Sequence, residues 1–288
     1  MKLTMFEKGG GAALGVVEGT NVIDLAAADA SLPKDLAALI AAGPAALGSV
    51  KAAAAKAPAS AKLPVASVKA ALPIARPPKF ICVGLNYALH AKEGGHPIPT
   101  YPSFFLRVAT SLTAPGAPVI RPKVSIQLDY ECELAIVIGK GGRHIPEADA
   151  LDHVFGYTLF NDVSVRDFQR KTTQWTPGKN FDSTGPLGPW IVTADELPPG
   201  ASGLRIQTRV NGEVMQDSNT SDMIFSTASI VATLSEFMTL EPGDIIATGT
   251  PSGVAHARTP PAWMKAGDRV EVELEGMGVL SNPIVDEA

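Results

Sequence analysis

The sequence predicts a mixed, β-rich α+β protein, with a small N-terminal α+β domain ahead of a larger β-rich domain. Three observations carry this. Beyond residue 78, short runs rich in Val, Ile and Thr recur between turns such as Glu241-Pro242-Gly243-Asp244 and Lys265-Ala266-Gly267-Asp268. Alanine-rich, helix-favouring sequence is concentrated in residues 36–66. A doubly wound nucleotide-binding fold needs strands alternating with long amphipathic helices and a glycine fingerprint after the first strand, and neither is present.

Taken in order, Ala12 to Val17 and Asn21 to Leu25 read as short strands joined at Glu18-Gly19-Thr20. From Leu36 to Ala66 the chain is dominated by Ala, Leu and Lys with interrupting Pro and Gly, which suits short surface helices without chemistry. Pro73 and Arg76-Pro77-Pro78 cannot continue a helix, so residues 70–78 read as a linker between domains spanning 1–72 and 78–288. Two domains also suit a chain of 288 residues. Near the C-terminus Val270, Val272 and Leu274 alternate with Glu271, Glu273 and Glu275, giving a strand with one buried face and three glutamates that simply face water.

Bulk properties exclude several partners. The net charge of -5 and the lack of any Lys/Arg-rich block argue against nucleic acid, whose affinity comes from clustered cations. No apolar stretch reads as long enough to cross a bilayer, and the N-terminus meets Glu7, Lys8 and a glycine run instead of a signal-peptide core. No membrane association and a cytoplasmic location are therefore expected. The two cysteines, Cys82 and Cys132, lie in apolar strand-like runs, as buried thiols do, so neither a disulfide framework nor a thiolate metal site is expected.

The most informative segment is Gln127 to Ile138, read as one continuous strand ending at Gly139. Alternation puts Leu128, Tyr130, Cys132, Leu134 and Ile136 on one face and Asp129, Glu131 and Glu133 together on the other. Carboxylates so close repel, and beside an apolar run their desolvation is costly unless a cation neutralises them or their pKa values rise. A hard divalent ion resolves the conflict. An isolated Glu-x-Glu is ordinarily a solvated edge; here the run Ala135-Ile136-Val137-Ile138 argues for burial. Mg²⁺ or Mn²⁺ wants a further oxygen ligand. Asp162 is the candidate, because it stands where the strand-like run Phe155 to Phe160 breaks at Asn161-Asp162-Val163-Ser164. Taken alone, Asp162 reads as a helix N-cap.

Several motifs together resemble the fumarylacetoacetate hydrolase family: Asp129-Tyr130-Glu131-Cys132-Glu133-Leu134, Asn161 to Asp167, Gly178-Lys179-Asn180-Phe181-Asp182 and Gly249-Thr250-Pro251-Ser252-Gly253-Val254, in the family's order. The resemblance covers roughly residues 78–286. It implies a mixed β-sandwich roll, a homodimer, and a metal site on Glu131, Glu133 and Asp162 holding Mg²⁺ or Mn²⁺, with Ca²⁺ as a substitute.

Gly84 to Glu93 resembles the family's lid segment, which implies a His90/Glu93 dyad. Residues three apart share a helix face, so Glu93 would fix the His90 imidazole while its other nitrogen takes a proton. Without the resemblance, a His and a Glu on a surface helix are solvated decoration. Arg166, four residues after Asp162 and on its face if the chain is helical, suits binding of a substrate carboxylate, and Gln169 continues that face. Lys179 matches the family's active-site lysine and is placed to stabilise an oxyanion. Thr250 matches the residue that contacts the substrate carboxylate, although a Gly-Thr-Pro-Ser-Gly run is first of all a turn. His256 and Arg258 to Pro261 are expected to shape the pocket, and His96, His144 and His153 read as structural.

These implications converge on a divalent-metal-dependent hydrolase that cleaves a carbon-carbon bond in 2,4-dioxo acids such as acylpyruvates, through water activated by His90 and Glu93. The same groups support oxaloacetate decarboxylation and isomerisation or tautomerisation of unsaturated oxo acids. A metal- or ligand-binding module without turnover is the rival of a different class.

Overall fold

The computed structural model describes residues 1–288 and contains one long, twisted 12-stranded sheet facing a second sheet of five strands. Through the larger sheet the order is Lys62–Pro64, Asn21–Asp24, Gly11–Glu18, Lys2–Lys8, Gly185–Thr193, Val154–Asn161, Cys132–Ile138, Ile245–Ala247, Phe80–Gly84 and Ser103–Leu106. The smaller sheet runs Glu213–Asn219, Arg205–Val210, Arg269–Leu274, Gly278–Asp286 and Val119–Arg121. Most pairings are antiparallel; the parallel exceptions include Ile245–Ala247 beside Phe80–Gly84. This is the mixed, β-rich α+β fold expected.

The strand Cys132–Ile138 is buried along its whole length because both of its faces are covered. Cys132, Leu134, Ile136 and Ile138 pack with Ile206, Val272, Leu274 and Leu280 of the smaller sheet and with Ile230, Val231 and Leu234 of the helix Thr227–Phe237. Ala135 and Val137, on the opposite face, pack with Leu3, Met5, Leu14, Leu36 and Ile40. Strands so enclosed read as apolar runs, which is why Ala135 to Ile138 lacks alternation.

The first 72 residues are not a separate layer. The strand Lys2–Lys8, which the sequence reading passed over, pairs with Gly185–Thr193 and so joins the N-terminal strands to the catalytic sheet. Residues 70–71 of the expected linker also pair, with Met5 and Phe6. The apolar core that contains Leu3 and Leu36 also contains Phe80, Cys82 and Phe160.

Alanine-rich sequence gives one helix, Leu36–Ala55, capped by the Asp35 side chain and kinked at Gly43-Pro44. Contrary to the sequence expectation, this helix is long and apolar enough to cross a membrane by length and composition. Leu36, Leu39, Ile40 and Val50 are buried in the core, and Leu47 packs half-buried against it. In the C-terminal strand Val270, Val272 and Leu274 are buried as expected, but Glu271 and Glu273 do more than face water, since Arg209 bonds both. Cys82 and Cys132 are free and buried. Burial raises both thiols, Cys132 to about 12.

Candidate active site

The predicted acidic strand is interrupted. Leu128–Asp129 pairs with Ser164–Val165, and the regular strand resumes only at Cys132. The break at Tyr130 and Glu131 sends neighbouring acids to different tasks. Asp129 turns away and accepts from the backbone N–H groups of Ala255 and His256 and from Arg166 Nε, at 2.7, 3.1 and 2.7 Å. It therefore does not share a ligand set with Glu131 and Glu133. Those two, with Asp162, bring carboxylate oxygens within 4.8 Å of one another, and all three residues are buried.

Backbone pairing holds the trio together. Glu131 N–H donates to Asn161 Oδ1 at 3.0 Å, and Asp162 N–H donates to the Glu131 carbonyl at 2.9 Å. Asp162 caps no helix. The segment after it is the short strand Ser164–Val165, and the helical turn begins only at Arg166, so Arg166 is not one helical turn beyond Asp162 as expected.

Charges around the trio are unevenly paired. Glu131 meets Arg166 Nη2 at 2.5 Å and Lys179 Nζ at 2.6 Å. Asp162 meets Lys179 at 2.6 Å and Arg107 Nη1 at 2.5 Å. Glu133 has no cation and accepts only the Gly249 N–H, at 2.9 Å. Burial pushes Glu131 upward, but Arg166 and Lys179 outweigh it and hold the carboxyl well below its ordinary range. Burial raises Glu133 instead, and the adjacent Asp162 and Glu131 charges raise it further. Burial opposes the charge on Lys179, yet Asp162 and Glu131 keep its ammonium above the ordinary lysine value.

The buried network thus holds four carboxylates, Asp129, Glu131, Glu133 and Asp162, against three cations, Arg107, Arg166 and Lys179. One negative charge is left over, and it falls on the carboxylate that has no partner. A donor set made only of buried carboxylate oxygens, short of one cation, fits a hard divalent ion. Glu131, Glu133 and Asp162 would hold it.

These acids line a cavity of about 430 Å³ together with His90, Arg166, Gln169, Lys179, Thr250 and His256. Its volume lies near the lower end of small-molecule sites, roughly 300–1,000 Å³. His90 sits on the helix Ala88–Glu93, where its Nδ1 lies 2.8 Å from Glu93 Oε1. A carboxylate can only accept, so Nδ1 carries a proton, and in the neutral imidazole Nε2 is then the acceptor. Glu93 Oε2 in turn accepts the Gly253 N–H at 2.8 Å, which docks the helix on the glycine turn. Gln169 accepts from Arg166 Nη1 at 2.9 Å. All nine residues singled out in the sequence meet here, although Glu93 stands behind His90 and is not on the cavity wall.

Other histidines divide. His153 is buried and bonds the Lys140 carbonyl at 2.7 Å, a structural role as expected. His96, also read as structural, is exposed and lines the cavity. His256 lines the cavity while its ring meets Asp129 at 3.1 Å. Arg258, expected to shape the pocket, is not on the cavity wall; it donates to the Met215 carbonyl at 2.6 Å.

Three supporting residues escaped the sequence reading. Arg107, with a fully buried side chain, also donates to Thr184 Oγ1 at 2.8 Å and Ser111 Oγ at 3.2 Å. Gln216 accepts the Cys132 N–H at 3.0 Å and donates to Thr250 Oγ1 at 2.8 Å, tying the acidic strand to the glycine turn. Asn86 ties the start of the Gly84 to Glu93 segment to Thr248 and Phe225. An Arg in the run Ser103 to Val108 and a Gln in an edge strand carry no local signal, because their partners are 55 and 84 residues away.

The model of the fumarylacetoacetate hydrolase C-terminal domain matches residues 79–285. The chain belongs to that family. An oxaloacetate tautomerase of Xenopus laevis, named as mitochondrial, is 42% identical over 270 residues, covering 93% of this chain and 84% of the relative. Among solved structures of the family fold, a fumarylacetoacetate hydrolase from psychrophilic Exiguobacterium antarcticum superposes with a TM-score of 0.86 at 37% identity, over 100% of both chains. A maleylpyruvate hydrolase from Sphingobium sp. SYK-6, in complex with manganese(II) and pyruvate, superposes with a TM-score of 0.83 at 32% identity, again over 100% of both chains. Family members thus include enzymes named for tautomerisation and for hydrolysis.

Proposed function

We propose that this chain is a metal-dependent enzyme that interconverts the enol and keto forms of a small 2-oxo acid, with oxaloacetate as the first substrate to test. One observation carries the reading: three buried carboxylates short of a cation share a cavity with a histidine whose Nδ1 is held and whose Nε2 is free. The extensive identity with an oxaloacetate tautomerase supports it.

Tautomerisation needs a proton removed from the enol oxygen and a proton delivered to the adjacent carbon, with no water consumed. A divalent ion on Glu131, Glu133 and Asp162 would act as a Lewis acid toward the negative charge that develops on the 2-oxygen when either form loses its proton. The His90 imidazole, fixed in one tautomer by Glu93, moves the proton through Nε2. Lys179, charged and buried, adds a positive field at the same oxygens. Arg166 and Gln169 orient the acid end, and Thr250 lines the wall opposite a substrate carboxylate, as the family resemblance implies. His90, Arg166, Lys179 and Thr250 are buried, with Gln169 and Glu93 half-buried, so their interactions act in a medium where each is stronger than in water.

Hydrolysis of acylpyruvates, the leading expectation from sequence, is the second reading. The same His90–Glu93 pair favours it, since Nε2 can equally deprotonate water, and so does the likeness to a maleylpyruvate hydrolase. Turnover of enol-oxaloacetate, acetylpyruvate and fumarylpyruvate, followed by absorbance with and without Mg²⁺ or Mn²⁺, separates the two. Metal-dependent loss of the oxaloacetate enol without CO₂ or acid release supports the tautomerase. Acid release from a dioxo acid favours the hydrolase, and CO₂ release makes the enzyme a decarboxylase. Metal binding without turnover of any member would overturn both readings.

A further inference from the structure

We propose that Arg170, assisted by His96, reads a second carboxylate on the substrate and so selects 2-oxo dicarboxylates over monocarboxylates; this rests on the 2-oxo acid reading above. Three cations line the cavity: Arg166, Lys179 and Arg170. The first two are committed, Arg166 to Asp129 and Glu131 and Lys179 to Glu131 and Asp162, at 2.5–2.7 Å. The Arg170 guanidinium is different. It makes no ion pair or hydrogen bond within the protein, and only its backbone N–H is engaged, by the Arg166 carbonyl at 3.1 Å.

Arg170 follows directly on the helical turn Arg166–Gln169, with its backbone N–H bonded four residues back to Arg166. Residues four apart on a turn point the same way, so the turn that sets Arg166 deep in the buried network sets Arg170 in the exposed part of the same cavity. His96 lines that cavity too, held by its backbone N–H to the Ala91 carbonyl at 2.8 Å, and its ring has no partner. Of the lining residues only Val83, Leu85, Phe105 and Trp175 are apolar, so the cavity suits a short, charged molecule better than a greasy one.

Charge balance points the same way. With Glu133 ionised, as metal binding requires, the buried network carries one excess negative charge, which a divalent ion would convert to one excess positive charge. The 2-oxo acid carboxylate matches that charge, and Arg170 then remains over. A guanidinium facing a small cavity without a carboxylate of its own is matched by a second carboxylate on the ligand.

Two substrates that share a reacting end and differ in the far group test this: oxaloacetate and its 4-methyl ester. With Mg²⁺ present, the wild type should prefer the diacid in kcat/KM. Arg170→Met keeps the hydrocarbon stem, removes the charge, and should lower diacid kcat/KM by about tenfold or more, a range set by charge-assisted hydrogen bonds at a partly exposed site. The ester should change by less than about twofold, and His96→Gln should show the same selectivity change in weaker form. Equal losses on both substrates, or none on the diacid, would overturn the assignment. Calorimetric binding of the two molecules to the wild type and to Arg170→Met keeps the question separate from turnover. If enol turnover is absent but the diacid still binds more weakly to the variant, the enzymatic reading fails and the subsite stands.

Discussion

Glu133→Gln should stabilise the metal-free protein while removing its metal, and the structure fixes both signs. Glu133 is buried, has no cation, and stands beside the charges of Glu131 and Asp162. A glutamine of the same shape keeps an oxygen for the Gly249 N–H and turns an amide N–H₂ toward those two carboxylates. Relieving a buried, unpaired charge is worth on the order of 1–3 kcal/mol. For a chain of this size that is a rise of a few degrees or more in melting temperature. Glu131→Gln is the contrast, because it strips a carboxylate from Arg166 and Lys179 and should cost about 3–5 kcal/mol. The assay is thermal unfolding at pH 8 in EDTA and again with Mn²⁺ at about a hundred times its dissociation constant, where the wild type gains about 2.7 kcal/mol. Glu133→Gln should gain almost nothing from Mn²⁺. Metal-free Glu133→Gln melting as low as Glu131→Gln would refute the charge accounting on which the metal site rests.

Further outcomes follow from the same contacts. His90→Gln should leave Mn²⁺ affinity within about twofold and lower kcat by roughly 10²–10⁴, whereas Glu131→Gln should weaken metal binding and turnover together; steady-state kinetics beside electron paramagnetic resonance of Mn²⁺ tells them apart. Arg107→Met removes the only arginine on Asp162 and should destabilise the metal-free protein by about 3–5 kcal/mol, measured by denaturant unfolding, with bound Mn²⁺ recovering part of the loss. Because Glu133 holds its proton above the ordinary Glu value of 4.5, that proton must leave when a metal binds. Metal affinity should therefore rise as pH increases above that value, with protons released in calorimetry across buffers of different ionisation enthalpy. The sign for metal-free stability is opposite: unfolding restores the lower pKa, so this group's contribution falls as pH rises from 4.5 toward the folded value.

How much of this was legible in the sequence depends on how local each cause is. Glu131 and Glu133 were readable because strand alternation and the apolar run after them are local facts. Asp162 was readable as a carboxylate at a strand end, but its helical relation to Arg166 was not, since Ser164 and Val165 pair with Leu128 and Asp129 and hold the chain extended. The same pairing interrupts the acidic strand and takes Asp129 out of the trio. The first strand, Lys2–Lys8, carries both Glu7 and Lys8, and only its partners on either side make it part of the catalytic sheet. Arg107 and Gln216 act across long sequence separations, so nothing near them in the chain marks them, while Asn86 stands inside the Gly84 to Glu93 segment but bonds partners far along the chain. His96 lines the cavity because the chain turns back at Gly94 and Gly95, after the helix Ala88–Glu93. The helix Leu36–Ala55 shows the limit of composition: its alanines raise the hydropathy to that of a membrane span, while Leu36, Leu39 and Ile40 pack in the core.

The most direct measurement is the rate of enol-to-keto conversion of oxaloacetate by the purified chain, first stripped with EDTA and then titrated with Mg²⁺ or Mn²⁺. Activity that is absent without metal, returns at one ion per chain, and fails to return in Glu131→Gln is the result the account predicts. Full activity in the stripped protein, or equal restoration in Glu131→Gln, would contradict it.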